Sequence, residues 1–133
     1  MTYALDTNII SYLLKDDPVV YENYNLATAS GEYCVIPPVA YYEIRRGLLY
    51  VDATTKLDDF GVLCSEFDIG EMSGQSWDEA AQLYAMLRKE RRLIEDADIF
   101  IAAFCITGGY TLVTHNTKHF EDIDGLQIVD WAE

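Results

Sequence analysis

The residues best suited to chemistry in this chain are carboxylates set at abrupt changes of pattern. Asp6 ends the short apolar run Tyr3-Ala4-Leu5, Glu43 sits inside Tyr42-Glu43-Ile44, and Asp96 and Asp98 open the run that continues Ile99-Phe100-Ile101-Ala102-Ala103. Glu121 lies two residues beyond His119 in the stretch His115 to Glu121. If Asp6, Glu43 and Asp98 converge, with Asp96 or Glu121 as a further member, like charges at short range cannot all stay ionised without a counterion. A hard divalent cation supplies it. Oxygen ligands with no His or Cys at zinc spacing select Mg²⁺ or Mn²⁺ over Zn²⁺. Such a cluster suits phosphodiester hydrolysis, in which the cation neutralises nonbridging oxygens and activates water. His115 and His119 could serve as ligands, although a turn histidine satisfied locally is the favoured reading of each.

Each acid also has a plain structural reading. Asp6 is placed to cap a helix over Asn8 to Leu14. One of Asp96 and Asp98 is sufficient to cap the helix they open, where the macrodipole favours negative charge, and the other is then left on the first turn without a capping task. At about 100° per residue, Glu43 falls roughly 80–90° from the centre of the Ala40/Ile44/Gly47/Leu48/Val51 stripe, at a rim where a solvated or salt-bridged acid near Arg46 is common.

Charge sets the context. Nine Lys and Arg against 23 Asp and Glu give a net charge of −14 and a pI near 4.2, which argues against a nonspecific basic groove and favours a basic partner or bound cations. Six of the nine basic residues nevertheless fall in two clusters, Arg45-Arg46 just after Glu43, and Arg88-Lys89 with Arg91-Arg92 just before Asp96. These six read either as the solvated face of amphipathic helices or as phosphate contacts along an RNA strand.

The elements that must position these residues follow from periodicity. Tyr3 to Leu5 reads as a buried strand feeding a helix, Pro18 opens a helix to about Ala29, and Tyr33 to Ile36 is a second strand. Pro37-Pro38 opens a helix carrying the Ala40 to Val51 stripe. Asp52 to Phe60 suggests a short helix, and Val62-Leu63-Cys64 with Phe67 and Ile69 a third strand. Ser76 caps a helix to about Leu93 whose inner stripe is Trp77, Ala80, Ala81, Tyr84 and Leu87. The helix from Asp96 or Asp98 ends at Gly108-Gly109, and Tyr110 to Val113 and Leu126 to Val129 are the last strands. Strands separated by helices predict an α/β domain, with a central, mostly parallel sheet covered on both sides. Ligands in such sheets lie beyond the strands' carboxyl ends at the topological switch, the edge onto which Asp6 and Thr114 should open.

A chain of 133 residues, half of them apolar and with no linker or repeat, predicts one domain over 1–133. Cys34, Cys64 and Cys105 are widely spaced within apolar stretches and read as small buried hydrophobes, as expected in a reducing compartment. The N-terminus lacks signal-peptide character and no apolar run approaches the roughly 20 residues of a membrane span, so a cytoplasmic location away from membranes is expected.

Taken together, the opening Tyr3-Ala4-Leu5-Asp6-Thr7-Asn8-Ile9-Ile10, the helix with Tyr42-Glu43-Ile44 and Gly47, the Asp96 to Ala103 run, and Leu112-Val113-Thr114-His115-Asn116 through Phe120 to Gly125-Leu126 resemble a PIN-domain ribonuclease. More narrowly, the chain resembles the toxin half of a VapBC toxin–antitoxin pair. The resemblance spans nearly the full length in the right order. It implies a three-layer α/β/α PIN-like fold and a Mg²⁺- or Mn²⁺-dependent endoribonuclease with Asp6 and Asp98 as principal metal-binding carboxylates. Glu43 is implied as the third acid, and Thr7 and Thr114 as hydroxyls near the site. Position 116 is Asn where many PIN domains have Asp, so Glu121 is the candidate fourth acid, and Asp96 falls where relatives vary. A homodimer is implied, along with a small antitoxin whose basic C-terminal segment occupies the groove.

Two other readings remain open on the residues. A receiver-like module would share the βα architecture, an acidic Mg²⁺ pocket, Thr114 and Lys118, with Asp68 as its only candidate phospho-acceptor. A PIN-like fold kept for interaction, with dead chemistry, is the other, and the Asn116 departure keeps it open.

Overall fold

The structure, a computed structural model, describes residues 1–133. The elements run β1 Thr2–Leu5, α1 Thr7–Leu14, α2 Pro18–Ala29, β2 Tyr33–Ile36, α3 Pro38–Tyr50, α4 Thr54–Glu66, β3 Asp68–Ile69, α5 Gly74–Lys89, α6 Asp96–Gly108, β4 Thr111–Val113, α7 Thr117–Phe120 and β5 Gln127–Val129. The five strands form one sheet in the order β3-β2-β1-β4-β5, and every pairing is parallel. The chain builds outward from β1 through β2 to β3, then returns to lay β4 on the other flank of β1. The topological switch therefore falls between β1 and β4, where Leu5 pairs with Val113.

Alternation along the strands divides the core into two layers. Ala4, Val35 and Leu112 face α5 and α6, together with Ala80, Leu83, Leu87, Ile99, Ala102 and Ala103. Leu5, Cys34, Ile36 and Val113 face α1 to α4, where Ile9, Ile10, Val20, Ala40, Ile44 and Phe60 close the opposite layer. Both faces of the sheet are covered, as a parallel sheet requires. Gly109 ends α6 at φ 71°, in the left-handed region that glycine enters without steric cost, and its N–H closes on the Cys105 and Ile106 carbonyls.

Four expectations need correction. Val62-Leu63-Cys64 is no strand: α4 continues through it to Glu66, leaving only Asp68–Ile69 to pair with β2. A short apolar run carries the same signal in either state, and here Phe60 anchors the helix in the core. Ser73, not Ser76, caps α5, while the buried Ser76 bonds Thr107 of α6 at 2.8 Å. That rotates the inner stripe onto Ala80, Leu83 and Leu87, leaving Trp77 and Tyr84 largely exposed, and α5 stops at Lys89, so Leu93 lies beyond it. Finally, the N-cap position of α6 is Glu95, and no side chain caps it, so neither Asp96 nor Asp98 has that task.

All three cysteines are free thiols; Cys34 and Cys105 are buried and Cys64 half-buried. Burial pushes the Cys34 thiol up to about 12, so it is inert as a nucleophile at neutral pH. No helix is long and apolar enough to cross a membrane.

Candidate active site

Asp6 follows β1 directly, and its backbone N–H extends the sheet ladder by bonding the Val113 carbonyl at 2.9 Å. Its side chain is 3% exposed. One carboxylate oxygen, Oδ1, accepts from the Thr7 N–H at 2.7 Å, which makes Asp6 the N-cap of α1 as well as a member of the site. The other, Oδ2, accepts from the fully buried Thr114 hydroxyl at 2.7 Å and from Asn8 Nδ2 at 3.3 Å. Capping therefore does not remove Asp6 from candidacy, since it engages a single oxygen. The other points along the carboxyl edge of the sheet toward Thr114 at the end of β4.

Glu43 reaches this edge from α3. Its Oε1 accepts the Thr7 hydroxyl at 2.8 Å, so Thr7 links the acid of α3 to the chain segment that holds Asp6. Oε2 stands 3.8 Å from the Arg46 guanidinium, the rim ion pair expected of a helix-surface acid. The rim ion pair is present, and Glu43 is also tied through Thr7 to the segment that carries Asp6. Asp98, on the first turn of α6, approaches from the other layer, and its Oδ2 lies 2.9 Å from His119 Nδ1 on α7. An ionised carboxylate only accepts, so Nδ1 carries the proton.

Electrostatic repulsion couples Asp6 to the other two acids. Burial pushes the Asp6 carboxyl above the ordinary carboxylate range, against the lowering effect of the Thr114 and Thr7 hydrogen bonds, and the negative charges of Asp98 and Glu43 raise it further. No cationic side chain lies within 4.0 Å of Asp6. A buried carboxylate with neutral donors and two acidic neighbours fits a hard divalent cation as counterion. As the side chains stand, no group of three or more His, Cys, Asp or Glu is close enough together to hold a metal ion, so a cation here would draw the acids closer and take water and substrate oxygens to complete its ligand set, as Mg²⁺ commonly does.

The remaining candidates divide clearly. Thr7 and Thr114 are in the network, and the Asn116 N–H donates to Thr114 Oγ1 at 3.0 Å, with its own side chain exposed. Asp96 is exposed on α6. Glu121 is exposed at the end of α7, where its N–H bonds the Thr117 carbonyl, and its side chain makes no hydrogen bond or ion pair. Arg46 stacks over Tyr42 and Arg88 over Tyr84, each 4.9 Å from the ring centroid. Arg92 stands 3.8 Å from Glu90, and Arg45, Lys89 and Arg91 are exposed. Asp68, the receiver's candidate acceptor, is exposed on the edge strand β3, away from the switch between β1 and β4.

Sequence reasoning missed the histidines' partners. His119 pairs with Asp98, and His115 with Asp130 at 2.9 Å, 15 residues away, while its N–H bonds Asn8 Oδ1 at 3.1 Å. These are tertiary pairings rather than turns satisfied locally. The only signal available was a histidine following a strand end, which does not specify a partner.

Known proteins resemble this chain over its full length. Ribonuclease VapC1 of Haemophilus influenzae (strain R2866) is 27% identical over 137 residues, covering 100% of both chains. The tRNA(fMet)-specific endonuclease VapC of Shigella flexneri is 29% identical over 138 residues, covering 99% of each. Among solved structures, a chain of VapBC2 from Rickettsia felis, bound to a DNA fragment from their promoter, superimposes with a TM-score of 0.87 at 28% identity, covering 98% of this chain and 99% of that one. VapBC-1 from nontypeable Haemophilus influenzae gives 0.84 at 27% identity over 100% of both chains. The PIN domain pattern itself matches residues 3–126, and the chain belongs to the PIN-domain family.

Proposed function

We propose that this chain is a divalent-metal-dependent endoribonuclease, the toxin of a type II toxin–antitoxin module, held in check by a small antitoxin protein. The observation that carries the reading is the buried Asp6 carboxylate, faced by Asp98 and Glu43 from opposite helical layers with no cation beside it. The full-length similarity to VapC ribonucleases and to VapBC complexes supports the same reading.

Asp6, Asp98 and Glu43 would hold Mg²⁺ or Mn²⁺, which when bound neutralises phosphate charge and lowers the pKa of water. Thr114 and the Thr7 N–H fix the Asp6 carboxylate, the Thr7 hydroxyl fixes Glu43, and His119 fixes Asp98. Three acids on three elements are thereby oriented before substrate arrives, which lowers the reorganisation cost of the reaction. The exposed Arg46 and Arg88 are available to an RNA backbone at the rim. A basic C-terminal antitoxin segment, laid into the acidic groove, would compete with the cation and block RNA, and the net charge of −14 favours that partner. The toxin would act as a homodimer in the cytoplasm.

Protein freed of antitoxin should cleave RNA with Mg²⁺ or Mn²⁺ and stop on addition of EDTA. Retained cleavage in Asp6→Asn or Asp98→Asn would sink the assignment.

A further inference from the structure

Beyond the two arginine-rich clusters, the structure brings together another pair of cations. A cavity of about 200 Å³ opens where α1, α3 and α4 meet, and Thr7 and Glu43 of the acid site form part of its wall. Lys15 and Lys56 line it, with Ser11 and Gly47. They lie 41 positions apart in sequence, which is why charge clustering along the chain does not reveal them.

Lys56 is held in place. Its Nζ donates at 3.0 Å to the carbonyl of Leu14, the last residue of α1, where the helix presents unsatisfied carbonyls and partial negative charge. An ammonium carries three donors, so two remain for a ligand. Neither Lys15 nor Lys56 has a carboxylate within 4.0 Å, in a chain with 23 acids. Glu43 shares the wall, but its oxygens engage the Thr7 hydroxyl and Arg46. Two ammoniums against one carboxylate leave the cavity positive. Its lining contains no aromatic ring, so it offers no platform on which a base could stack. Leu14, Ile44 and Leu48 make much of the wall apolar, and the two ammoniums with the Ser11 and Thr7 hydroxyls are the groups there that suit a phosphate.

We propose that this cavity is a subsite for a backbone phosphodiester of the RNA strand, next to the one held at Asp6, Glu43 and Asp98, with Lys15 and Lys56 as its ligands. The inference rests on the ribonuclease reading and deepens it. The shared wall formed by Thr7 and Glu43 places the two positions side by side, so the subsite sets where along the strand the acids meet the backbone.

The test measures binding of a single-stranded RNA oligonucleotide to antitoxin-free protein in EDTA, between about 50 and 200 mM salt, and cleavage of the same RNA with Mn²⁺. Each of Lys15→Gln and Lys56→Gln should reduce the slope of log affinity against log salt by about 0.7, and the double variant by about twice that. KM should rise several-fold in each, with kcat within about twofold. Gly47→Leu provides a variant that leaves both lysines in place: Gly47 lines the cavity and a Cβ there meets nothing within 4 Å, so the added side chain starts in open space on the cavity wall. It too should raise KM without changing the melting temperature appreciably. If the wild type cleaves RNA but the lysine variants keep its salt slope and KM, the subsite is refuted and the ribonuclease reading stands. Variants that lose affinity for the antitoxin while keeping the RNA salt slope would reassign the cavity to an acidic protein segment and also refute it. A wild type that neither binds nor cleaves RNA overturns both.

Discussion

His119 Nδ1 lies 2.9 Å from Asp98 Oδ2, an imidazole of the four-residue helix α7 gripping a carboxylate on the first turn of α6. The bond occupies one oxygen of Asp98 and leaves the other, Oδ1, without a hydrogen-bond partner. Because α7 follows β4 directly across the switch, the pair ties the layer of α6 to the end of the strand beside Asp6.

If Asp98 holds the cation as proposed, this geometry gives His119 the part of a positioning residue. His119→Ala should weaken Mn²⁺ binding about 10- to 100-fold, the usual effect of removing a group that orients a metal ligand. His119→Asn, which retains a donor near the place of Nδ1, should recover most of the affinity. Titration calorimetry on antitoxin-free protein reads both, and equal affinities for wild type and the Ala variant would remove the role.

Thr114 is fully buried and its hydroxyl serves two groups, donating to Asp6 Oδ2 and accepting from the Asn116 N–H. Thr114→Val keeps the volume and removes both bonds, leaving a buried carboxylate oxygen short of a donor. A loss of about 1–3 kcal/mol is expected in urea unfolding, together with reduced cleavage.

The raised Asp6 carboxyl carries a sign that unfolding can read. In metal-free protein the folded state holds a proton on Asp6 at pH values where the unfolded chain, with an ordinary carboxyl near about 3.9, has released it. The folded state then binds more protons, so Asp6 makes stability fall as pH rises from that value through the folded one, and the loss persists above. In EDTA, Asp6→Asn should therefore melt higher than wild type at pH 7, with the difference closing below about pH 4. Mn²⁺ should raise the melting temperature of the wild type and leave that of Asp6→Asn little changed.

Glu121 and Glu43 should separate sharply. Glu43→Gln removes a charge felt at Asp6 and is expected to reduce kcat by about a hundredfold or more, several kcal/mol of charge stabilisation being at stake. Glu121→Gln and Asp96→Asn change exposed acids outside the hydrogen-bonded network and should leave cleavage within about twofold of wild type. A large loss in Glu121→Gln would return it to the site as its fourth acid.

Much of this molecule follows from local pattern. Asp6 after an apolar run, Thr114 after another, the proline-opened helices and the glycine stop of α6 are written in neighbouring residues, because helix and strand periods and caps act over a few positions. The same locality explains the failures. Val62 to Cys64 carries an apolar signal common to strand and helix, and only the docking of Phe60 decides between them. Trp77 and Tyr84 fit the inner stripe until Ser76 bonds Thr107 and turns α5.

What only the tertiary structure decided is which groups meet. The strand order sets β4 against β1, so that Asp6 and Thr114, 108 residues apart, bond at 2.7 Å. It likewise brings Glu43 to Thr7, His119 to Asp98, and Lys15 to the cavity shared with Lys56. The sequence by itself determined that acids would stand at the ends of strands and the starts of helices. The pairing of those acids with hydroxyls, imidazoles and ammoniums was decided by the parallel crossover topology, because hydrogen bonds and charge act through space and a local pattern does not say which distant segment will lie alongside.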